Sequence, residues 1–260
     1  MPDRATTSDR ARSTTPSPWR WRLRGVIPGV VSAVVVSGVV SALALVMQER
    51  VGPLITFDQW VIRAATDVTR AHSGLRSALL AWQAAFQPID VYVVATVVCG
   101  LVWWRGGLRS RAIWAFVTMM VAWNLALDLK EVVARARPVV ADPVSSAPGY
   151  SFPSGHVANA ATATTVLVIL LWPLLSRQSR PYAVALAAVV VVLLTALDRV
   201  YLGVHFPSDT VAGVLVGCGI AVASFLGYWG WRRNRPSTPA TPPGTTPTAI
   251  PTPPPQPSEA

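Results

Sequence analysis

The sequence predicts an all-α, polytopic membrane protein of six transmembrane helices, with its chemistry-bearing residues in the extracytoplasmic loops. Three observations predict it. Of the 260 residues, 52% are hydrophobic and only 13% are charged, with a mean hydropathy of +0.44. A soluble domain carries about 25% charged residues, and a disordered chain is not this apolar. Six uncharged or nearly uncharged stretches approach the ~20 residues a helix needs to cross hydrocarbon. The basic residues, arginines apart from Lys130, mostly flank those stretches. The net charge of +10 therefore reads as membrane topology and not as a nucleic-acid surface.

Residues 26–47 carry no charge and form the first span. Ala42-Leu43-Ala44 resembles a signal-peptidase site, but the apolar run exceeds the ~7–15 residues of a signal peptide, so the span is read as uncleaved. Segment 57–86 is weakly amphipathic. Phe57, Trp60, Val61, Ala64 and Val68 recur at helical spacing, as in one or two helices lying at the membrane surface. The second span is 88–104, with Asp90 at its mouth and Trp103 and Trp104 as interfacial anchors. The third is 112–129, with Asp128 near its end; 157–175, 182–197 and 210–231 are uncharged and complete the six. All six are read as helices despite their valines, because a lone segment in lipid satisfies its backbone hydrogen bonds only as a helix. Cys99 and Cys218 lie inside spans as small apolar fillers. The domain is thus 26–235, between an unstructured arginine-rich tail, 1–25, and a disordered Pro/Thr-rich tail, 236–260, that contains ten prolines.

Cytoplasmic loops are richer in Lys and Arg than external ones. Six spans place Arg4, Arg10, Arg12, Arg20, Arg22, Arg24, Arg105, Arg109, Arg111, Arg177, Arg180, Arg232, Arg233 and Arg235 on one side. That side is cytoplasmic, and it holds both termini. Loops 130–156 and 198–209 then face outward. They contain the only lysine and two of the three histidines.

Lys130, Arg137 and Arg199 are three cations that only an anion makes compatible. Arginine's planar fork matches phosphate oxygens, and lysine adds a point charge. Ser154-Gly155-His156 opens the fourth span, where free N–H groups and the helix dipole also favour an anion, and Gly155 permits close approach of the backbone. His205 and His156 beside a phosphate suggest covalent catalysis, one imidazole attacking phosphorus and the other serving as acid and then base. Asp209, four residues after His205, is an acceptor for one of its ring nitrogens, which makes His205 the better nucleophile. No Asp, Glu or Cys cluster accompanies the set, so no metal or other cofactor is expected. Arg135 is expected to touch lipid headgroups, Asn124 and Asp128 to bond between helices, and Tyr201 and Phe206 to pack.

Lys130-x6-Arg137-Pro138, Pro153-Ser154-Gly155-His156 and Arg199-x5-His205-x3-Asp209 together resemble the three-part signature of the type 2 phosphatidic acid phosphatase, or lipid phosphate phosphatase, family in its membrane-bound branch. The resemblance spans roughly residues 55–231. It implies a phosphohistidine at His205 oriented by Asp209, His156 as acid and base, and phosphate held by Lys130, Arg137, Ser154, Gly155 and Arg199, with no metal. One position departs: the family usually has Ser where this chain has Asp198. That carboxylate either holds the Arg199 guanidinium or weakens the pocket's positive potential.

The expected function is hydrolysis of a lipid phosphate monoester or diphosphate at the outer face of a plasma membrane. The candidates are a polyprenyl diphosphate, favoured because an outward site suits recycling of a carrier lipid, phosphatidic acid, phosphatidylglycerol phosphate and diacylglycerol pyrophosphate. The alternatives are phosphotransfer from the same phosphohistidine and a non-catalytic lipid-binding protein. The expected partners are the lipid phosphate substrate and membrane lipids, with no nucleic acid. The arginine-rich, lysine-poor composition suggests a bacterium.

Overall fold

The structure, a computed structural model, describes residues 18–48, 52–140, 143–176 and 180–234. Among the described residues all regular structure is helical. The eight helices are α1 (Pro18–Gln48), α2 (Gly52–Ala71), α3 (Ser73–Ala85), α4 (Pro88–Trp104), α5 (Arg109–Val133), α6 (Gly155–Leu175), α7 (Arg180–Tyr201) and α8 (Pro207–Arg233). Five of them, α1, α5, α6, α7 and α8, are each long and apolar enough to cross a membrane. The 17-residue α4 meets that test together with α3, from which it is bent by 49°. The chain is a multi-pass membrane protein, and the six expected spans fall on α1 and α4 to α8. Helix α1 begins at Pro18, upstream of the expected boundary at residue 26. The rest of the N-terminal tail and all of 236–260 lie outside the described residues.

The burial pattern is that of a helix bundle in lipid. Buried contact positions are small: Ala95 on α4, Ala115 on α5, Ala161 on α6 and Ala221 on α8 are inaccessible. Large apolar side chains such as Val34, Val94 and Leu186 point outward. Between helices in lipid, close van der Waals packing of small residues replaces the hydrophobic drive. Helix α8 is held on both faces in this way. A Cβ at Gly217 would lie 2.4 Å from the Ala158 carbonyl oxygen of α6, and one at Gly29 of α1 would lie 2.6 Å from the Gly227 nitrogen of α8. Only glycine admits backbones so near each other.

At one end of the bundle the connections build a cap. Helix α5 stops at Ala134, whose left-handed φ of 48° breaks the run. An extended segment follows and enters α6 through Phe152, the cis-bonded Pro153 and Ser154. Helix α7 turns through Gly203 (φ 77°), where a Cβ would meet Thr66 of α2 at 2.8 Å. Helix α8 then starts with Pro207 in its first turn, and Asp209 accepts the Phe206 N–H at 3.0 Å to close the N-terminus.

The segment expected to lie on the membrane surface forms α2 and α3. The apolar stripe of α2 does not face the protein: Phe57, Trp60 and Val68 are exposed, and Asp58, Ile62, Ala65, Thr66 and Thr69 are buried. Next to lipid the apolar face turns outward, and the polar face finds its partners inside. Thr69 donates to the Tyr201 carbonyl at 2.9 Å, tying α2 to α7. Asn124 does not bond between helices either. It is exposed and donates to Met120 of its own helix at 2.8 Å.

Candidate active site

Helix α8 and the turn before it place His205 at the centre of the cap, buried to 2% exposure. Its Nε2 lies 3.2 Å from Nη1 of Arg137. A guanidinium only donates, so the nitrogen it faces is the unprotonated one. The proton of the neutral ring is therefore on Nδ1. That nitrogen faces the Ser151 hydroxyl at 3.4 Å and Oδ2 of Asp209 at 3.8 Å. Ser151 donates to the same Oδ2 at 2.5 Å. Burial draws the His205 imidazole from its ordinary 6.5 down to about 4; Asp209 opposes the shift, and Arg137 and Lys130 add to it.

The cations come from three elements. Lys130, in the last turn of α5, donates to the Tyr150 carbonyl at 2.9 Å. Arg137, on the extended segment, donates to the carbonyls of Pro148 (2.9 Å), Gly149 (2.9 Å) and Val204 (2.8 Å). It thereby joins two loops while facing His205. Burial draws its guanidinium below the ordinary arginine range, Asp209 opposes this and Arg199 reinforces it. Arg199, near the end of α7, is 2% exposed. Its Nε donates to Oδ2 of Asp198 at 2.8 Å, its Nη2 to the same oxygen, and Nη2 also to Gln83 of α3 at 2.9 Å. Of the two roles open to Asp198, holding the guanidinium is thus realised. The other carboxylate oxygen, Oδ1, is buried without a hydrogen-bond partner.

Ser154 and Gly155 form the start of α6. The Ser154 N–H donates to the Asp209 carbonyl at 3.0 Å, locking the origins of α6 and α8 together. The Ser154 hydroxyl is buried and unpartnered. A Cβ at Gly155 would sit 3.5 Å from Cε of Lys130, so the lysine stem lies over the helix start. His156 follows, within electrostatic reach of Arg199, His205, Lys130 and Arg137. Its Nε2 lies 3.3 Å from Oε1 of Gln87, at the α3–α4 corner. All eight residues expected from sequence thus gather in one cap. Among the described residues, no group of three or more His, Cys, Asp and Glu side chains forms a metal site.

Five further residues enter the site that the sequence reading did not place there. Ser151 fills the interval between His205 and Asp209. Gln83 and Gln87 hold Arg199 and His156. Arg135, expected at lipid headgroups, turns inward instead. It donates 2.5 Å to Oδ1 of Asp209 and 2.7 Å to Oδ2 of Asp58, and stacks 4.3 Å over the Phe206 ring. Asp58 of α2 is inaccessible. The one available signal was spacing: Arg135 and Arg137 are two apart in an extended segment, so their side chains leave on the same side.

Comparison with known proteins places this architecture. The model of the PAP2 superfamily matches residues 111–234. Phosphatidylglycerophosphatase B of Bacillus subtilis (strain 168) is 40% identical over 165 residues, covering 61% of this chain and 70% of that protein. Decaprenylphosphoryl-5-phosphoribose phosphatase of Mycobacterium tuberculosis is 35% identical over 117 residues, covering 43% of this chain and 59% of its own length. The crystal structure of a transmembrane PAP2-type phosphatidylglycerolphosphate phosphatase from Bacillus subtilis superposes with a TM-score of 0.64 at 24% identity, over 75% of this chain and 94% of that one. The last likeness is one of fold.

Proposed function

The chain belongs to the PAP2 superfamily, and from that premise we propose that it is a lipid phosphatase. It hydrolyses a lipid phosphate monoester or diphosphate through a phosphohistidine on His205, without a metal, at the extracytoplasmic face of the membrane. The observation that carries this reading is the orientation of His205: Nε2 is turned toward the guanidinium of Arg137, which only donates, and Nδ1 is turned toward Ser151 and Asp209. A nucleophilic imidazole needs that division between its two nitrogens.

In the first step Nε2 attacks phosphorus and the bond to the lipid oxygen breaks. His156 gives that oxygen its proton, one ring nitrogen being engaged by Gln87. Asp209, through Ser151, stabilises the positive charge that the ring acquires. Lys130, Arg137, the remaining guanidinium donors of Arg199, the Ser154 hydroxyl and the first N–H groups of α6 hold the phosphoryl oxygens as their charge redistributes. In the second step His156 takes a proton from water, the water oxygen bonds to phosphorus, and the P–N bond breaks to release inorganic phosphate.

The excess of arginine at the opposite end of the spans supports an outward-facing site. The names of the relatives support a glycerophospholipid or a polyprenyl-linked phosphate as substrate. The test is phosphate release by the purified protein in detergent with EDTA. Phosphatidylglycerol phosphate, phosphatidic acid, diacylglycerol pyrophosphate and a polyprenyl diphosphate would be compared, with His205→Ala alongside. Release from one or more lipids that is absent in the variant is the expected result. Equal release by the variant, or dependence on added metal, overturns the mechanism.

A further inference from the structure

A chain of alternating charge, buried at both carboxylates, runs from α2 to the orienting carboxylate of the site. Asp58, Arg135 and Asp209 carry it, and nothing in the phosphate chemistry requires the first two. Oδ2 of Asp58 accepts from Nη2 of Arg135 at 2.7 Å and from the Ser208 hydroxyl, and Oδ1 accepts the Ser208 N–H at 3.1 Å. Nη1 of Arg135 donates to the Ser208 hydroxyl at 2.8 Å and to Oδ1 of Asp209 at 2.5 Å.

Each Asp209 oxygen therefore has an assigned partner set. Oδ1 belongs to Arg135; Oδ2 belongs to Ser151 and the Phe206 N–H, and faces His205. Two anchored oxygens fix the plane of a carboxylate. We propose that Asp58 and Arg135 are positioning residues for the reaction: they fix the orientation and moderate the charge of Asp209, and through it the state of His205. The reacting ring is thereby linked to α2, which supplies none of the motif residues.

The proposal rests on His205 being the nucleophile. It differs from a merely structural clamp in its electrical consequences. His205 is faced by Asp209 from α8, Arg137 from the extended segment, Lys130 from α5 and His156 from α6. Arg135 offsets the Asp209 charge, and Asp58 in turn offsets Arg135. Removing Arg135 exposes His205 to the full carboxylate and raises its proton affinity. Neutralising Asp58 leaves Arg135 wholly to Asp209 and lowers that affinity. The two changes have opposite signs, whereas loosening of a structural clamp has one sign for both.

The experiment uses the full chain in detergent, with ring-15N histidine for NMR titration. Phosphate release from phosphatidic acid micelles is measured in parallel for the wild type, Arg135→Ala, Arg135→Lys and Asp58→Asn. We expect the His205 titration to move to higher pH in Arg135→Ala, to lower pH in Asp58→Asn, and to stay near wild type in Arg135→Lys. We expect kcat to fall about tenfold or more in Arg135→Ala, the scale on which outer-shell partners act, with KM changed by less than about threefold. Shifts of the same sign in Arg135→Ala and Asp58→Asn, or an unchanged His205 titration in both, overturn the proposal. If Arg135→Ala does not fold, Asp58→Asn against Arg135→Lys decides: a downward shift in the first alone supports it, and any other pattern overturns it. Failure of the wild type to release phosphate from any of the four candidate lipids would overturn the proposed function, while the titrations would still judge the positioning pair.

Discussion

Oδ2 of Asp209 stands 3.8 Å from Nδ1 of His205, and the Ser151 hydroxyl occupies the interval, 2.5 Å from one and 3.4 Å from the other. Orientation of the ring passes through a hydroxyl as well as directly from the carboxylate. Ser151→Ala deletes that link and leaves an Asp209 oxygen short of a donor. A hydrogen bond of this kind is worth about 1 kcal/mol, so kcat should fall about fivefold with little change in KM. Steady-state kinetics on the substrate found active checks it. An unchanged kcat would mean that Asp209 closes directly onto His205.

Burial holds the His205 pKa at about 4, below its ordinary 6.5. In the proposed mechanism the neutral ring is the nucleophile, so the acid limb of kcat/KM should lie near pH 4. Stability follows the same linkage. Below pH 6.5 the unfolded chain binds a proton that the folded chain refuses, so this contribution is complete above 6.5 and is lost as pH falls toward 4. Thermal unfolding at pH 7, 5.5 and 4.5 should show a declining midpoint in the wild type and a smaller decline in His205→Gln.

Asp198 engages two of the Arg199 nitrogens. Asp198→Ala leaves a buried guanidinium unpaired, a change that costs about 3–5 kcal/mol. It also frees those donors for an anion. The unliganded protein should melt earlier than wild type, and inorganic phosphate should raise its midpoint by more than it raises that of the wild type. Equal increments in both proteins would assign Asp198 no influence on anion binding.

Gly217 and Gly38 make a matched pair. A Cβ at Gly217 meets the Ala158 oxygen at 2.4 Å, whereas one at Gly38 meets nothing within 4 Å. Overpacking at such a contact costs about 1–3 kcal/mol or more. Gly217→Val should therefore lower the unfolding midpoint or the yield of folded protein, and Gly38→Ala should leave both unchanged or slightly raised. Equal behaviour of the two variants would contradict the close α6–α8 crossing.

The motif residues were legible because they are scarce and cluster in sequence: one lysine and two histidines in two loops stand out in a chain otherwise apolar. Their helpers were not. Gln83, Gln87 and Ser151 are ordinary residue types, and their roles depend on which element packs opposite. Asp58 lies in a segment whose apolar periodicity was visible, but periodicity does not say which face meets lipid. For α2 the answer was the apolar one, so Asp58 turned inward while Asp67 stayed exposed. Arg135 sits beside catalytic candidates in an outer loop, where lipid headgroups and buried carboxylates compete for a guanidinium. The inaccessible Asp58 decided the outcome, and it is 77 positions away. The spans themselves were readable from composition alone. The bend between α3 and α4 was not, since it depends on where both helices dock.

That bend has a mechanical consequence. With 17 residues at about 1.5 Å each, α4 is about 25 Å long, whereas the hydrocarbon of an ordinary bilayer is about 30 Å thick. The shortfall draws neighbouring lipids thin or pulls the α3–α4 corner toward the acyl chains. Gln87 stands at that corner with its amide on His156. Gln87 thus ties that corner to the residue proposed as proton donor, and acyl-chain length in reconstituted vesicles is expected to change turnover.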